Sequence, residues 1–170
     1  MKKINIYSVL SASMFLLVLL MGSCKKDYVN GNTTTVALAG EWWVQADFGD
    51  GSGFGSTYYS INTYNTTANN DSLWVDDNDA LVGIKGKVLA NISNKTFGGT
   101  SSPNQYSDGG ISVFTITNGV VIANGAHTPG SGDKTDSIAF TLTFDSAKQG
   151  GHNVIKFKGY KRTGFAQDDH

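Results

Sequence analysis

Residues 60–79 read SINTYNTTANNDSLWVDDND and bring four carboxylates, Asp71, Asp76, Asp77 and Asp79, into a stretch rich in Asn and Thr with one indole, Trp74. Such a set could hold a hard cation, because calcium is bound by carboxylate and carbonyl oxygens. It could also act as acid and base on a glycosidic bond, where two carboxyls stand about 5 Å or about 6.5–9.5 Å apart across a sugar cleft. Neither arrangement fits the spacing. Asp76 and Asp77 are adjacent, and neighbours on a strand point to opposite faces. Asp77 and Asp79 can share a face, but only at a strand end beside the turn Asp77-Asn78-Asp79. The run lacks the turn glycine and terminal glutamate of an EF-hand loop. The only glutamate in the chain, Glu41, lies far away beside Trp42. The acids are expected at solvated hairpin ends with Trp74 as a core anchor, and calcium binding and hydrolysis stay open as alternatives.

Other stretches that could do chemistry fall short of a site. TPGSGDKT (128–135) echoes a phosphate-binding loop, but Asp133 precedes Lys134 where that loop has glycine. It also separates two strand-like runs, whereas a phosphate loop opens a helix whose N-terminus holds the anion. GDGSGFG (49–55) alternates glycines and reads as a mobile hairpin loop. No G-x-S-x-G nucleophile elbow occurs. The histidines, His127, His152 and His170, form no H-x-x-x-H pair, and a zinc site needs at least three protein ligands. No metal, no cofactor and no nucleophile–base pair is expected.

The N-terminus carries a different kind of signal. Lys2 and Lys3 precede an apolar stretch that ends at Met21, followed by Gly22, Ser23 and Cys24. A basic start, a short apolar core and small residues make a secretory signal. Asn5, Tyr7, Ser8, Ser11 and Ser13 interrupt it, leaving too few apolar residues to span a bilayer, which needs about 20. LMGSC resembles a bacterial lipobox, in which the cysteine is lipidated and becomes the first residue of the mature chain. Cys24 is the single cysteine, so no intrachain disulfide can form. Each buried methylene of an acyl chain contributes about 0.8 kcal/mol, so several chains anchor a domain durably. The expected organisation is a signal over residues 1–23, the lipidated cysteine with a flexible tether over 24–37, and one domain over 38–168. The net charge of −1 gives no footprint for nucleic acid.

The elements that must position any site read as strands. EWWVQADF (41–48), STYYSINTY (56–64), SLWVDD (72–77) and LVGIKGKVLANI (81–92) are rich in aromatic and β-branched residues between Gly, Asn and Asp. In residues 110–127, Asn118-Gly119 divides two strand-like runs, which predicts a hairpin. Ile138, Phe140, Leu142 and Phe144 alternate with polar residues, as do Ile155 and Phe157 with Lys156 and Lys158. Lys161 and Arg162 continue this basic, solvated face. No helical stripe follows the signal. The pattern predicts an all-β fold, an antiparallel up-and-down barrel of about eight strands. At that number a barrel either fills with side chains or holds one small ligand.

GEWWV (40–44), INTYNTTANNDSLWVDD (61–77) and GYKRTGF (159–165) resemble the blocks of a family of Bacteroidota lipoproteins described as lipid-binding putative hydrolases, assigned a calycin-like β-barrel. The likeness runs over most of 38–168. It implies a lipocalin-like fold more firmly than an activity, and it transfers no catalytic residues. Gly40-Glu41-Trp42 is similar to the Gly-x-Trp of the first lipocalin strand, whose indole lies under a late-strand arginine. Arg162, the only arginine, is then expected over Trp42, or over Trp43, as a cation–π pair within about 6 Å. DSL, DSI and DSA resemble the O-glycosylation sequon of exported Bacteroidota proteins, which makes Ser72, Ser137 and Ser146 candidate sites.

The expected function is that of a lipoprotein of the cell envelope, at the outer membrane, whose barrel binds a lipid or another small apolar ligand. Its partners are then the membrane, through the acyl anchor, and that ligand. The alternative is an interaction module for glycan or a partner protein, using exposed aromatics such as Tyr58, Tyr59 and Tyr64. A hydrolase with an unrecognised site is the third reading.

Overall fold

The computed structural model describes residues 33–106, 110–148 and 152–170. The expected signal (1–23), Cys24 and the tether up to residue 32 lie outside the described residues. Eight strands follow one another: β1 Gly40–Asp47, β2 Tyr59–Asn65, β3 Ser72–Asp76, β4 Lys85–Asn91, β5 Thr96–Pro103, β6 Val113–His127, β7 Lys134–Lys148 and β8 His152–Lys161. Each pairs antiparallel with its neighbour in sequence, and β8 returns to β1, so the sheet closes into an up-and-down barrel. The only helices among the described residues are two short 3₁₀ turns, Val36–Leu38 and Ala166–Asp168.

Period-two alternation builds the wall. Trp42, Val44 and Ala46 of β1 point inward, and Ile61, Leu73, Val75, Val88, Phe97, Phe114 and Ile116 continue the lining around the barrel. The expected face Ile138, Phe140, Leu142, Phe144 is buried, as are Ile155 and Phe157. Side chains from strands that are not neighbours meet across the axis: Phe97 of β5 lies 5.8 Å from Phe140 of β7, centroid to centroid. Gly86 of β4 leaves only enough room for the Phe114 ring. Below, the turn Val36–Leu38 packs its fully buried Leu38 under the barrel. Trp42 Nε1–H donates to Thr63 Oγ1 (2.8 Å), and Thr63 in turn donates to the Leu38 carbonyl (2.6 Å). Above, Val82, Ile84 and Ile111 are buried in the loops that join β3 to β4 and β5 to β6. These residues form one hydrophobic core inside the barrel.

Two strand expectations are corrected. Asn118-Gly119 does not turn the chain. β6 runs straight through it, and the register with β7 slips between Thr117 and Val120. Asn118 adopts φ 55°, so the pair forms a bulge that exchanges the inward parity from Phe114 and Ile116 to Val121. A hairpin is impossible here because Gly119 is pressed against the Phe97 carbonyl of β5, and a turn would vacate that pairing. The strand count is restored by β5, whose Gly98, Gly99, Ser101 and Ser102 hide it from a search for aromatic and β-branched runs. Replacing Gly119 with Val should cost about 1–3 kcal/mol by overpacking. It should appear in urea titration as a lowered midpoint with an unchanged slope.

Candidate functional site

Asp71 and Asp79 are exposed, as expected of hairpin ends, but Asp76 and Asp77 are not. Asp76 and Asp77 are 4% and 1% exposed. They do point in opposite directions, as adjacency on a strand requires, and each is saturated with donors. Asp77 accepts N–H bonds from Asp79, Val82, Gly83 and Ile84 at 2.9–3.1 Å and so folds the loop that roofs the barrel. Burial pushes its carboxyl above the ordinary range despite those donors. Asp76 lies on the outer wall. Its Oδ2 accepts from Lys85 Nζ at 2.7 Å and Tyr64 Oη–H at 3.0 Å, and its Oδ1 from Tyr106 Oη–H at 2.7 Å and the Asn78 N–H at 2.9 Å. Burial pushes Asp76 up, but Lys85, Tyr106, the Asn78 N–H and Tyr64 together hold it below the usual carboxylate range. The bond to Asp76 raises Lys85. Burial, reinforced by Asp76, pushes Tyr106 up to about 12. The cluster is a hydrogen-bonded support that fixes Tyr64, Lys85 and Tyr106 around Asp76.

Trp74 is a correction of the same origin. Leu73 and Val75 are fully buried in the core, so parity puts Trp74 outside, half-buried between its cross-strand partners Tyr64 and Lys87. The Tyr64 ring stacks on it at 6.3 Å, and Lys87 Nζ stands 5.0 Å from its centroid. The expected aromatic strip of Tyr58, Tyr59 and Tyr64 is divided as well. Tyr59 packs against the core, Tyr64 serves Asp76, and Tyr58 lies on the far side of β1. All three are half-buried.

Arg162 faces away from the Trp42 indole. It follows β8 opposite Glu41, on the outward parity, whereas Lys161 is the register partner of Trp42. The cation over Trp42 is Lys161 Nζ, 5.8 Å from the ring. The Arg162 guanidinium binds Glu41 (3.0 Å) and grips both oxygens of Asp169 (2.7 Å each). Trp43 Nε1–H also donates to Asp169 at 3.2 Å, so Trp43 and Arg162 meet through a shared carboxylate. Hydrogen bonds from Arg162 hold Asp169 down at about 2.

That carboxylate belongs to a clasp that covers the outer wall. Asp168 is fully buried, accepting from Ser131 N–H and Oγ–H and from Thr163 Oγ1–H. Burial raises it, and the Ser131 N–H and the hydroxyls outweigh burial and lower it. The TPGSGDKT loop, between β6 and β7 as expected, thus anchors residues 166–170. The Tyr160 hydroxyl donates to the Asp168 carbonyl at 2.9 Å and meets His170 Nε2 at 2.6 Å, and His170 stacks on Tyr58 at 3.9 Å. Beside this clasp a groove of about 300 Å³ runs along the outer face of β7, β8 and β1. Ala126, Ala139, Gly159 and the backbone of Ile138, whose side chain points into the core, line it, with Tyr58, Tyr160, Gln45, Ser137 and Lys158. Lys158 Nζ sits 4.2 Å from the Phe54 ring of the β1–β2 loop. No residue type in the groove announces it in the sequence. It is assembled only when β7, β8 and β1 pair, with Ala139 beside Lys158 and Gly159 between Ile138 and Val44.

Ser72 begins β3 half-buried, and Ser137 lies half-buried on the groove rim. Ser146 belongs to β7, with its side chain outside the described residues. Among the described residues, no three His, Cys, Asp or Glu side chains gather as a metal site.

Asp76, Asp168 and Asp169 are all held low, so the stability they contribute is present above the unfolded aspartate value of about 3.9. It is lost as pH falls through their folded values, about 2 for Asp169. Asp77, raised, acts in the opposite sense and disfavours the fold as it ionises above the unfolded value. Asp76→Asn should cost about 1–3 kcal/mol at neutral pH and flatten the acid limb of a plot of urea midpoint against pH. An unchanged acid limb would show that Asp76 is not ionised in the fold.

A family model described as lipid-binding putative hydrolase matches residues 27–166. No curated protein matches the chain. The match takes in every strand of the barrel, the donor-saturated pair Asp76 and Asp77, and the groove along β7, β8 and β1, and the chain belongs to the lipid-binding putative hydrolase family.

Proposed function

We propose that this chain is a membrane-anchored lipoprotein whose barrel binds a lipid or a similar apolar molecule along its outer wall. The observation that carries the reading is the groove lined by Ala126, Ala139, Gly159, Tyr58 and Tyr160. At about 300 Å³ it reaches the lower end of small-molecule sites, which combine an apolar floor with a few placed polar groups. An acyl chain lies against the floor and the Tyr58 and Tyr160 rings, and an anionic head meets Lys158. The family description supports a lipid as the ligand. The packed core argues against the barrel interior as the binding place, because filled side chains would have to be expelled. Anchoring rests on Cys24 and the lipobox-like LMGSC, which support a location in the cell envelope, at the outer membrane. Hydrolysis is not supported by the described clusters, whose carboxylates are saturated with donors.

The domain from Lys25 onward, purified gently, should retain a lipid mass in native mass spectrometry and bind a fluorescent fatty acid. Ala139→Trp, which fills the groove floor, should weaken that binding at least about tenfold without lowering the melting temperature. Leu142→Ala opens space in the core at a cost of about 2–5 kcal/mol and should leave binding unchanged. Tighter binding by Leu142→Ala with an inert Ala139→Trp would move the ligand into the interior. Anchoring is tested separately: an alkyne-labelled fatty acid fed to expressing bacteria should label the chain and not its Cys24→Ser variant. A native intact mass with added hexoses would identify the Asp-Ser sequons as modified, and a sugar on Ser137 would obstruct the groove rim.

A further inference from the structure

On the opposite side of the barrel the Asp76 cluster supports a second surface that the lipid reading does not use. Tyr64, Trp74 and Lys87 are consecutive cross-strand partners on β2, β3 and β4, all outside the barrel. Next to them Trp74, Lys87, Pro103 and Gln105 line a cavity of about 270 Å³. Asp76 fixes the surroundings: it binds Tyr64, Tyr106 and Lys85 at 2.7–3.0 Å, and Lys85 Nζ stands 5.8 and 5.9 Å from the Tyr64 and Tyr106 ring centroids. A surface whose aromatic groups are locked by a buried carboxylate is organised before any ligand arrives. Asp76 already balances Lys85. Lys87 makes no ion pair within 4.0 Å among the described residues, so it supplies the local excess of positive charge.

From this geometry we infer that the Trp74 cavity is a binding site for an acidic saccharide. A pyranose ring packs its C–H face against Pro103 and the edge of the indole, whose faces are flanked by Tyr64 and Lys87. Its hydroxyls meet the Gln105 amide, and a carboxylate or sulfate meets Lys87. Charge complementarity selects the acidic form over a neutral one. An extended peptide is disfavoured because the closed barrel offers no free strand edge for it to pair with.

The test uses the full chain in mild detergent, titrated calorimetrically with a tetramer of galacturonic acid, a chondroitin sulfate oligosaccharide and a neutral maltotetraose. At least one acidic oligosaccharide should bind, more weakly as salt rises, and maltotetraose should not. Lys87→Gln should weaken binding roughly five- to tenfold and blunt its salt dependence. Trp74→Ala should weaken it by at least about thirtyfold. Gln105→Ala, on the cavity rim, gives a second reading if Trp74→Ala fails to fold, and it should also weaken binding. Ala139→Trp in the lipid groove should change nothing here, so this site and the proposed lipid site fail separately. Absence of binding by both acidic oligosaccharides, equal binding of maltotetraose, or binding undiminished in Lys87→Gln and Gln105→Ala would each overturn the assignment.

Discussion

Strand β1 is paired on both sides, with β2 from Gly40 to Val44 and with β8 from Trp42 to Asp47, and the rest of the molecule depends on that double pairing. It closes the sheet, which removes free edges and gives every strand one inner and one outer face. Closure is tight at Gly159, where a Cβ would collide with the Trp43 carbonyl across the β1–β8 seam. The same glycine is among the residues that line the outer groove. One small residue thus serves both the seam and the site.

Closure also settles where polar groups can go. The interior accepts few: Thr63 is buried there because it relays the Trp42 indole to the Leu38 carbonyl. The buried acids sit in the roof or on the outer wall, and each is matched to a different kind of donor. Asp77 takes backbone N–H groups and shapes a loop. Asp76 takes side-chain donors and locks an aromatic surface. Asp168 takes Ser131 and Thr163 and holds a segment of chain against the wall. A buried carboxylate without such partners would be strongly destabilising. With them it becomes a fixed point, which is why the two candidate surfaces stand beside fixed points of this kind.

Much of this was legible in residue order. The alternation of Ile138, Phe140, Leu142 and Phe144 identifies an inward face without any structure, and the Gly-bounded aromatic runs locate most of the wall. Asn118-Gly119 misleads because Asn at positive φ serves a bulge as well as a turn, and only the position of β5 decides between them. β5 itself is obscured by its glycines and serines, which form strand because β4 and β6 hold them there. Tertiary context overrides propensity in that stretch.

The candidate sites were less legible, for a reason of geometry. Sequence alone determined the all-β class, the inward faces, the likeness to the family and the signal-like start ending at Cys24. It could also say that Asp76 and Asp77 diverge, since adjacent residues on a strand must. It could not say that both are buried, because Asp76 draws on Tyr64, Lys85 and Tyr106 from separate stretches of chain and Asp77 on a loop whose shape only the fold sets. Nor could it choose Lys161 over Arg162 as the cation above Trp42, because that choice is a matter of a single residue of register between β1 and β8. Periodicity is a local property and survives in the sequence. Register, bulge parity and the donors that surround a buried acid are set only when distant strands pair, and those were decided by the closed barrel.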